Sequence, residues 1–158
     1  MPIQRVQLEA ELTRLLQPQL FRDYCPNGLQ VQGKNEINKL VTGVTASAAL
    51  IESALDAGAD CLLVHHGYFW KGEDQTITGL KKTRVEKLLA SQLNLFAYHL
   101  PLDMHKEFGN NVELGRLLGF QFEAATGRPG DPEIVFIGKL AQPTTLEALS
   151  AQIDSSLQ

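Results

Sequence analysis

Two hydrophobic periods alternate along the chain. Between residues 6 and 16, Val6, Leu8, Leu12, Leu15 and Leu16 recur at helical spacing, and Pro18 ends the segment. The stretch YCPNGLQVQGK that follows contains the turn pair Asn27-Gly28 and reads as a loop. KLVTGV, residues 39–44, is rich in β-branched side chains that suit a pleated sheet, and it predicts a strand. Ser47 then caps a helix to about residue 56, with Leu50, Ile51, Ala54 and Leu55 facing inward and Gly58 beyond its end. The pattern repeats. A strand over 60–65 precedes a helix over 80–92 that presents Leu80, Val85, Leu88 and Leu89, and a strand over 94–99 follows. Asn110 is placed to cap a further helix, with Glu113 three residues on and Gly119 closing it.

Strands alternating with helices predict an α/β fold of βαβ units with a mostly parallel sheet. In such a sheet the loops at the C-terminal strand ends collect on one edge, where ligands bind. Thr45 and Ser47 follow the first of these strands, His65 and His66 close the second, and His99 and Asp103 follow the third. Three consecutive strand ends therefore deliver polar groups to one edge. Residues 1–122 read as this α/β lobe, and the Gly- and Pro-rich segment 123–132 as a linker. Residues 133–158 read as the start of a second or inserted α/β domain, with the strand EIVFIGKL and a capping box, Thr144 to Glu147, opening a helix. That helix has no following strand to cover it and looks unfinished, so the chain is expected to be the N-terminal portion of a longer protein or else an unusually truncated one.

Composition narrows the function classes. Fourteen Lys and Arg against eighteen Asp and Glu leave a formal charge of −4, which disfavours a broad nucleic-acid-binding surface. No apolar run reaches membrane-spanning length, and the N-terminal segment is amphipathic instead of signal-like. The two cysteines, Cys25 and Cys61, lack zinc-knuckle or redox spacing, with Cys61 expected as a buried small hydrophobe; a reducing cytoplasm is the simplest compartment.

The chemistry concentrates in CLLVHHGYFW and HLPLDMH. Adjacent residues of a regular strand point to opposite faces, so His65 and His66 can share a site only where the strand ends, with Gly67 allowing a sharp turn. Imidazole and carboxylate are the usual ligands of zinc, manganese and iron, and all four histidines fall in these two segments. Each residue also has a plainer role. A single histidine is more often a hydrogen-bonded core residue; Asp103 can cap the next helix; Tyr68, Phe69 and Trp70 can be packing or a pocket wall; Asn27 and Asn110 suit a turn and a cap; His105 reads as exposed. No nucleophile elbow, Walker loop or HExxH helix is present, which leaves metal-activated water as the most economical chemistry.

PNGLQV, VTGVTAS, HHGYFWKG, HLPLD and FGNNVELGRLLG occur here in that order. Over residues 20–120 the sequence resembles the GTP cyclohydrolase I type 2 homologues, the NIF-three-like family. The resemblance implies an α/β fold with two divalent metal ions (zinc, iron or manganese) between two similar lobes, and assembly into hexameric rings. It makes His65 and His66 metal ligands and Asp103 a bridging carboxylate. His99 becomes a ligand or a close neighbour of the ligands, and Asn27, Gly28 and Asn110 lie near the pocket; in a hydrolytic reaction His99 or His105 can act as the catalytic proton shuttle, with Tyr68 at the pocket wall. The family's further ligands come from a His-x-x-x-Glu motif that does not occur after residue 120 here. The function implied is a metal-dependent hydrolase of a nucleotide-like or phosphoester small molecule. The alternative is a non-catalytic, metal-binding regulatory or ring-forming protein.

Overall fold

The computed structural model describes residues 1–127 and 133–157. Their contacts separate into two compact units, Met1–His99 and Leu100–Gln158. The first unit opens with a short strand β1 (Ile3–Gln4) and the helix α1 (Arg5–Leu16), which ends with Gln17 in the left-handed conformation and Pro18 behind it. Five more strands and two helices follow: β2 (Gly28–Val31), β3 (Glu36–Ile37), β4 (Leu40–Thr45), α2 (Ala48–Asp56), β5 (Cys61–His66), α3 (Gly79–Ser91) and β6 (Asn94–Ala97). The main sheet has the order β2-β6-β5-β4, and β4, β5 and β6 run parallel as the alternating pattern predicts. A separate antiparallel pair joins β1 to β3.

The segment read as a loop contains a strand. β2 pairs antiparallel with β6, with Gly28 opposite Ala97. Four residues are too few to display a period of two, and the Asn27-Gly28 turn signal dominated the stretch. Gly28 sits at φ 116, which a side chain rarely adopts. This strand matters for position. Being antiparallel, it begins where β4, β5 and β6 end, so residues 23–27 arrive at the same edge as the histidines.

The core lies between the sheet and α2 and α3: Ile51 and Ala54 from α2, Val85 and Leu88 from α3, and Leu62, Val64, Leu95 and Ala97 from the central strands. Ser47 caps α2 as expected, accepting from Leu50 N at 3.1 Å. The helical stripes are narrower than the sequence suggests. Leu80 and Leu89 of α3 and Val6 of α1 are exposed, because each helix turns only part of its apolar face to the sheet.

The second unit holds α4 (Leu100–Met104), α5 (Asn110–Leu117), an antiparallel hairpin of β7 (Phe120–Thr126) and β8 (Val135–Leu140), and α6 (Leu146–Ser156). The segment read as a linker begins inside β7, while residues 128–132 lie outside the described residues. Two helix starts move by one residue. Gly109 occupies the cap of α5 without a side-chain bond, so Asn110 is the first helical residue. Thr145 caps α6, accepting from Ala148 N at 3.2 Å, which puts Glu147 at the second helical position instead of the third. Gly119, at φ 73, closes α5 as expected.

Candidate metal centre

At the C-terminal edge of the parallel strands three imidazoles converge. The rings of His65 and His66 lie 4.3 Å apart, His65 and His99 4.9 Å, and His66 and His99 5.6 Å. One ligand atom from each can be chosen so that all three lie within 4.8 Å of one another. β5 runs through both members of the pair instead of stopping before His66. They meet because they are its last two residues, beyond which no strand geometry holds the second ring on the opposite face. Gly67 does not supply the turn by a left-handed backbone; Phe69 does, at φ 66. Gly67 is needed for closeness: a Cβ there would run into Gln30 Oε1 and approach Ala97 Cβ to 2.7 Å.

Each ring is oriented by a neighbour. His65 Nδ1 lies 3.1 Å from the carbonyl of Tyr98, which can only accept, so Nδ1 carries the proton and Nε2 the lone pair. Thr45 Oγ1, at the end of β4, is 3.2 Å from His66 Nδ1. His99 Nδ1 donates to Asp23 Oδ1 at 2.7 Å, a carboxylate–imidazole pair in which the Asp23 side chain is only 2% exposed and that of His99 17%. That bond again places the lone pair on Nε2. Asn27 ties the two together, donating from Nδ2 to Asp23 Oδ2 at 2.9 Å and accepting from the His99 backbone N at 2.7 Å. Imidazole nitrogens, two of them turned toward the cluster by the partner on the other ring nitrogen, are a donor set that zinc, iron or manganese takes, so the residues fit such an ion.

The loop after the pair walls the cluster. Trp70 stands edge-on to His99, 4.9 Å between ring centres and 85° between planes, and 5.9 Å from His66. Its Nε1 donates to Gly67 O, and Lys71 N donates to Tyr24 O at 2.6 Å, fastening this loop to the Asp23 segment. Gln30 of β2 binds it too, accepting from Tyr68 N at 2.7 Å and donating to Tyr68 O at 3.1 Å. Tyr68 itself belongs to the core. It is 6% exposed and its hydroxyl donates to Ala46 O at 2.7 Å, and burial pushes the phenol up to about 12. Burial, with the nearby Asp23 charge, likewise raises the Cys25 thiol to about 11.

Asp103 and Asn110 lie in the second unit, where Asn110 Nδ2 donates to Asp103 Oδ1 at 2.8 Å. His105 is half-buried instead of exposed. It stacks on Phe108, and its Nδ1 accepts from Phe108 N at 3.0 Å, a local turn contact. Thr45 was placed at this edge from the sequence, whereas Asp23, Gln30 and the antiparallel strand behind Asn27 were not singled out as supports of the histidines. Asp23 follows no motif of its own. Its only signal is an acidic residue four places before the Asn-Gly turn.

An α/β unit with a histidine cluster at the C-terminal edge of a mostly parallel sheet defines a class of proteins able to hold a metal ion there. Within it, the chain belongs to the family described as Duf34/NIF3 (NGG1p interacting factor 3), whose model matches residues 3–158. It is 52% identical over 153 residues to the GTP cyclohydrolase 1 type 2 homolog of Vibrio cholerae, covering 96% of this chain and 60% of that protein. It is 52% identical over 137 residues to the protein of the same name from Pseudomonas aeruginosa, covering 86% and 54%. Among solved structures, protein ybgI, whose function is given as unknown, superposes with a TM-score of 0.92 at 43% identity over 98% of this chain and 61% of that one. TTHA1606 from Thermus thermophilus gives 0.80 at 38% identity, covering 97% and 61%. The chain thus spans roughly three fifths of the length of these relatives.

Proposed function

We propose that this chain is the histidine-bearing part of a metal-dependent hydrolase acting on a nucleotide-like or phosphoester small molecule, and that the whole protein holds two divalent ions. The observation that carries the reading is the convergence of three imidazoles, two of them with the proton fixed on Nδ1. His65 and His66 would hold the cation, and the family resemblance adds the Asp103 carboxylate to this set. An ion bound there would supply Lewis acidity toward water or a substrate oxygen. His99 is the proton carrier. With Nδ1–H held by Asp23, its Nε2 accepts a proton and the buried carboxylate stabilises the imidazolium that results. Asn27 keeps Asp23 and His99 in register, and Trp70 excludes water from one flank.

The name of the relatives suggests a purine nucleotide as substrate, and the family resemblance suggests a ring of six subunits. The test is elemental analysis of the protein purified without chelator or affinity tag, followed by assay against GTP and a panel of phosphoesters. We expect bound transition metal in the wild type and clearly less of it in His65→Ala, with far-ultraviolet circular dichroism unchanged and turnover lost in both His65→Ala and His99→Gln. Metal content that is the same in wild type and His65→Ala would overturn the site. Metal without turnover of any compound would turn the reading to a metal-carrying binding protein.

A further inference from the structure

His99 has two ring nitrogens, and the hydrolytic reading uses the lone pair on only one. Asp23 is bonded to its Nδ1, and one ligand atom from each of Asp23, Cys25 and His99 lies within 4.8 Å of the others. We propose that Asp23, Cys25 and His99 form a second site, distinct from the histidine pair, for a thiophilic divalent cation of the zinc, cobalt and cadmium class.

Three observations support it. The donor set of one sulfur, one imidazole nitrogen and one carboxylate oxygen suits such ions and is a poor match for calcium or magnesium, which take oxygen ligands. The charges close as well. A carboxylate, a thiolate and a neutral imidazole balance a doubly positive ion, which matters where the Asp23 side chain is 2% exposed and Cys25 8%. The segment is also held in place before any ion arrives. Tyr24 N donates to Asp23 Oδ1 at 2.6 Å, Asn27 Nδ2 to Asp23 Oδ2 at 2.9 Å, Gln30 Nε2 to Pro26 O at 2.8 Å, and Lys71 N to Tyr24 O at 2.6 Å. Cys25 is therefore fixed between anchored neighbours on both sides.

The proton balance gives the site a consequence. On binding, the cation takes the place of the Nδ1 proton, which passes to Nε2 of the same ring, and the Cys25 thiol proton leaves to solvent, so one proton is released per ion bound. His99 then presents N–H from Nε2 and can no longer accept a proton there. Occupancy of the thiolate site and proton transfer through His99 exclude each other.

Cobalt(II) is the probe, because a cysteine thiolate gives it a sulfur-to-metal charge-transfer band that imidazole and carboxylate ligands do not. Titration of the whole protein, with the histidine site already filled by its own metal, should develop this band and saturate it at one further equivalent, and added zinc should bleach it by displacement. The band should disappear in Cys25→Ser and persist in Cys61→Ala and in His65→Ala. Asp23→Asn should shift the titration midpoint to at least about tenfold higher cobalt. The proposal falls if no band forms, if it survives in Cys25→Ser, if Asp23→Asn leaves the midpoint unmoved in a folded protein, or if His65→Ala removes it. Should Asp23→Asn fail to fold, the Cys25→Ser spectrum and the zinc displacement decide alone. His65→Ala separates this site from the hydrolytic one, since it is expected to abolish metal at the histidine pair and spare the charge-transfer band.

Discussion

Among single residues, close approach matters to the site as much as ligand chemistry does. Gly67 shows this most directly, since any β-carbon there meets Gln30 Oε1 and Ala97 Cβ. Both neighbours are fixed, Ala97 in the central strand β6 and Gln30 by its bonds to both backbone groups of Tyr68. Gly67→Ala is therefore expected to destabilise the fold by about 1–3 kcal/mol, the usual cost of forcing extra volume into a packed site. Urea unfolding of the two proteins checks this, and an unchanged midpoint would show that Gln30 can move aside. The sequence drew attention to Gly67 for the wrong physical reason. Its adjacency to the histidine pair suggested turning freedom, whereas its contacts show that it is a spacer. His65, His66 and His99 were legible as a group because four histidines fell in two segments. Asp23 was not legible, because its partner His99 is 76 residues away and only the antiparallel strand β2 closes that distance.

Among the elements, the opposite edge of the sheet has its own polar anchor. Asp60, just before β5, accepts from Lys34 Nζ at 2.8 Å and from the backbone N of Asn38 at 3.0 Å and of Lys39 at 3.3 Å. Asn94, wholly buried at the start of β6, donates to Asp60 O and Lys34 O and accepts from Gly33 N. These bonds pin the starts of β5 and β6 and so set the register with which their far ends present the histidines. The Lys34 bond and the backbone donors hold the Asp60 carboxyl below its ordinary value of 3.8. A carboxyl depressed in the folded state contributes stability that is fully present above its unfolded-state value and is lost as the pH falls through that value toward the folded one. Thermal unfolding of wild type and Asp60→Asn should accordingly differ by a constant amount near neutrality. The difference should close as the pH drops through 3.8 and below. A gap independent of pH across that window would show that the carboxylate charge is not what holds the strand starts.

For the molecule as a whole, the first unit leaves large apolar side chains in water. Val6, Leu20, Val44, Leu80 and Leu89 are each more than half exposed. Single exposed apolar residues are ordinary on a monomer, yet five stand on this one unit, on α1, β4, α3 and the short turn at residues 18–20. Self-association of this unit is the expected outcome. Sedimentation equilibrium should give a mass several times the 17.4 kDa of this chain, and a monomer at micromolar concentration would overturn the expectation. Among the described residues, no helix is long and apolar enough to cross a membrane.

Local period and spacing were enough to establish the alternation of strands and helices, the parallel core of the sheet, the cap at Ser47, and the placing of His65, His66 and His99 at strand ends. Those signals are short-range, and burial on one face or both writes them into neighbouring residues. Only the folded chain shows that a four-residue antiparallel strand borders the sheet, that Asp23 and Asn27 therefore stand behind His99, and that Cys25 joins them. No periodicity encodes those contacts. They arise because an edge strand running against its neighbours starts where the others finish.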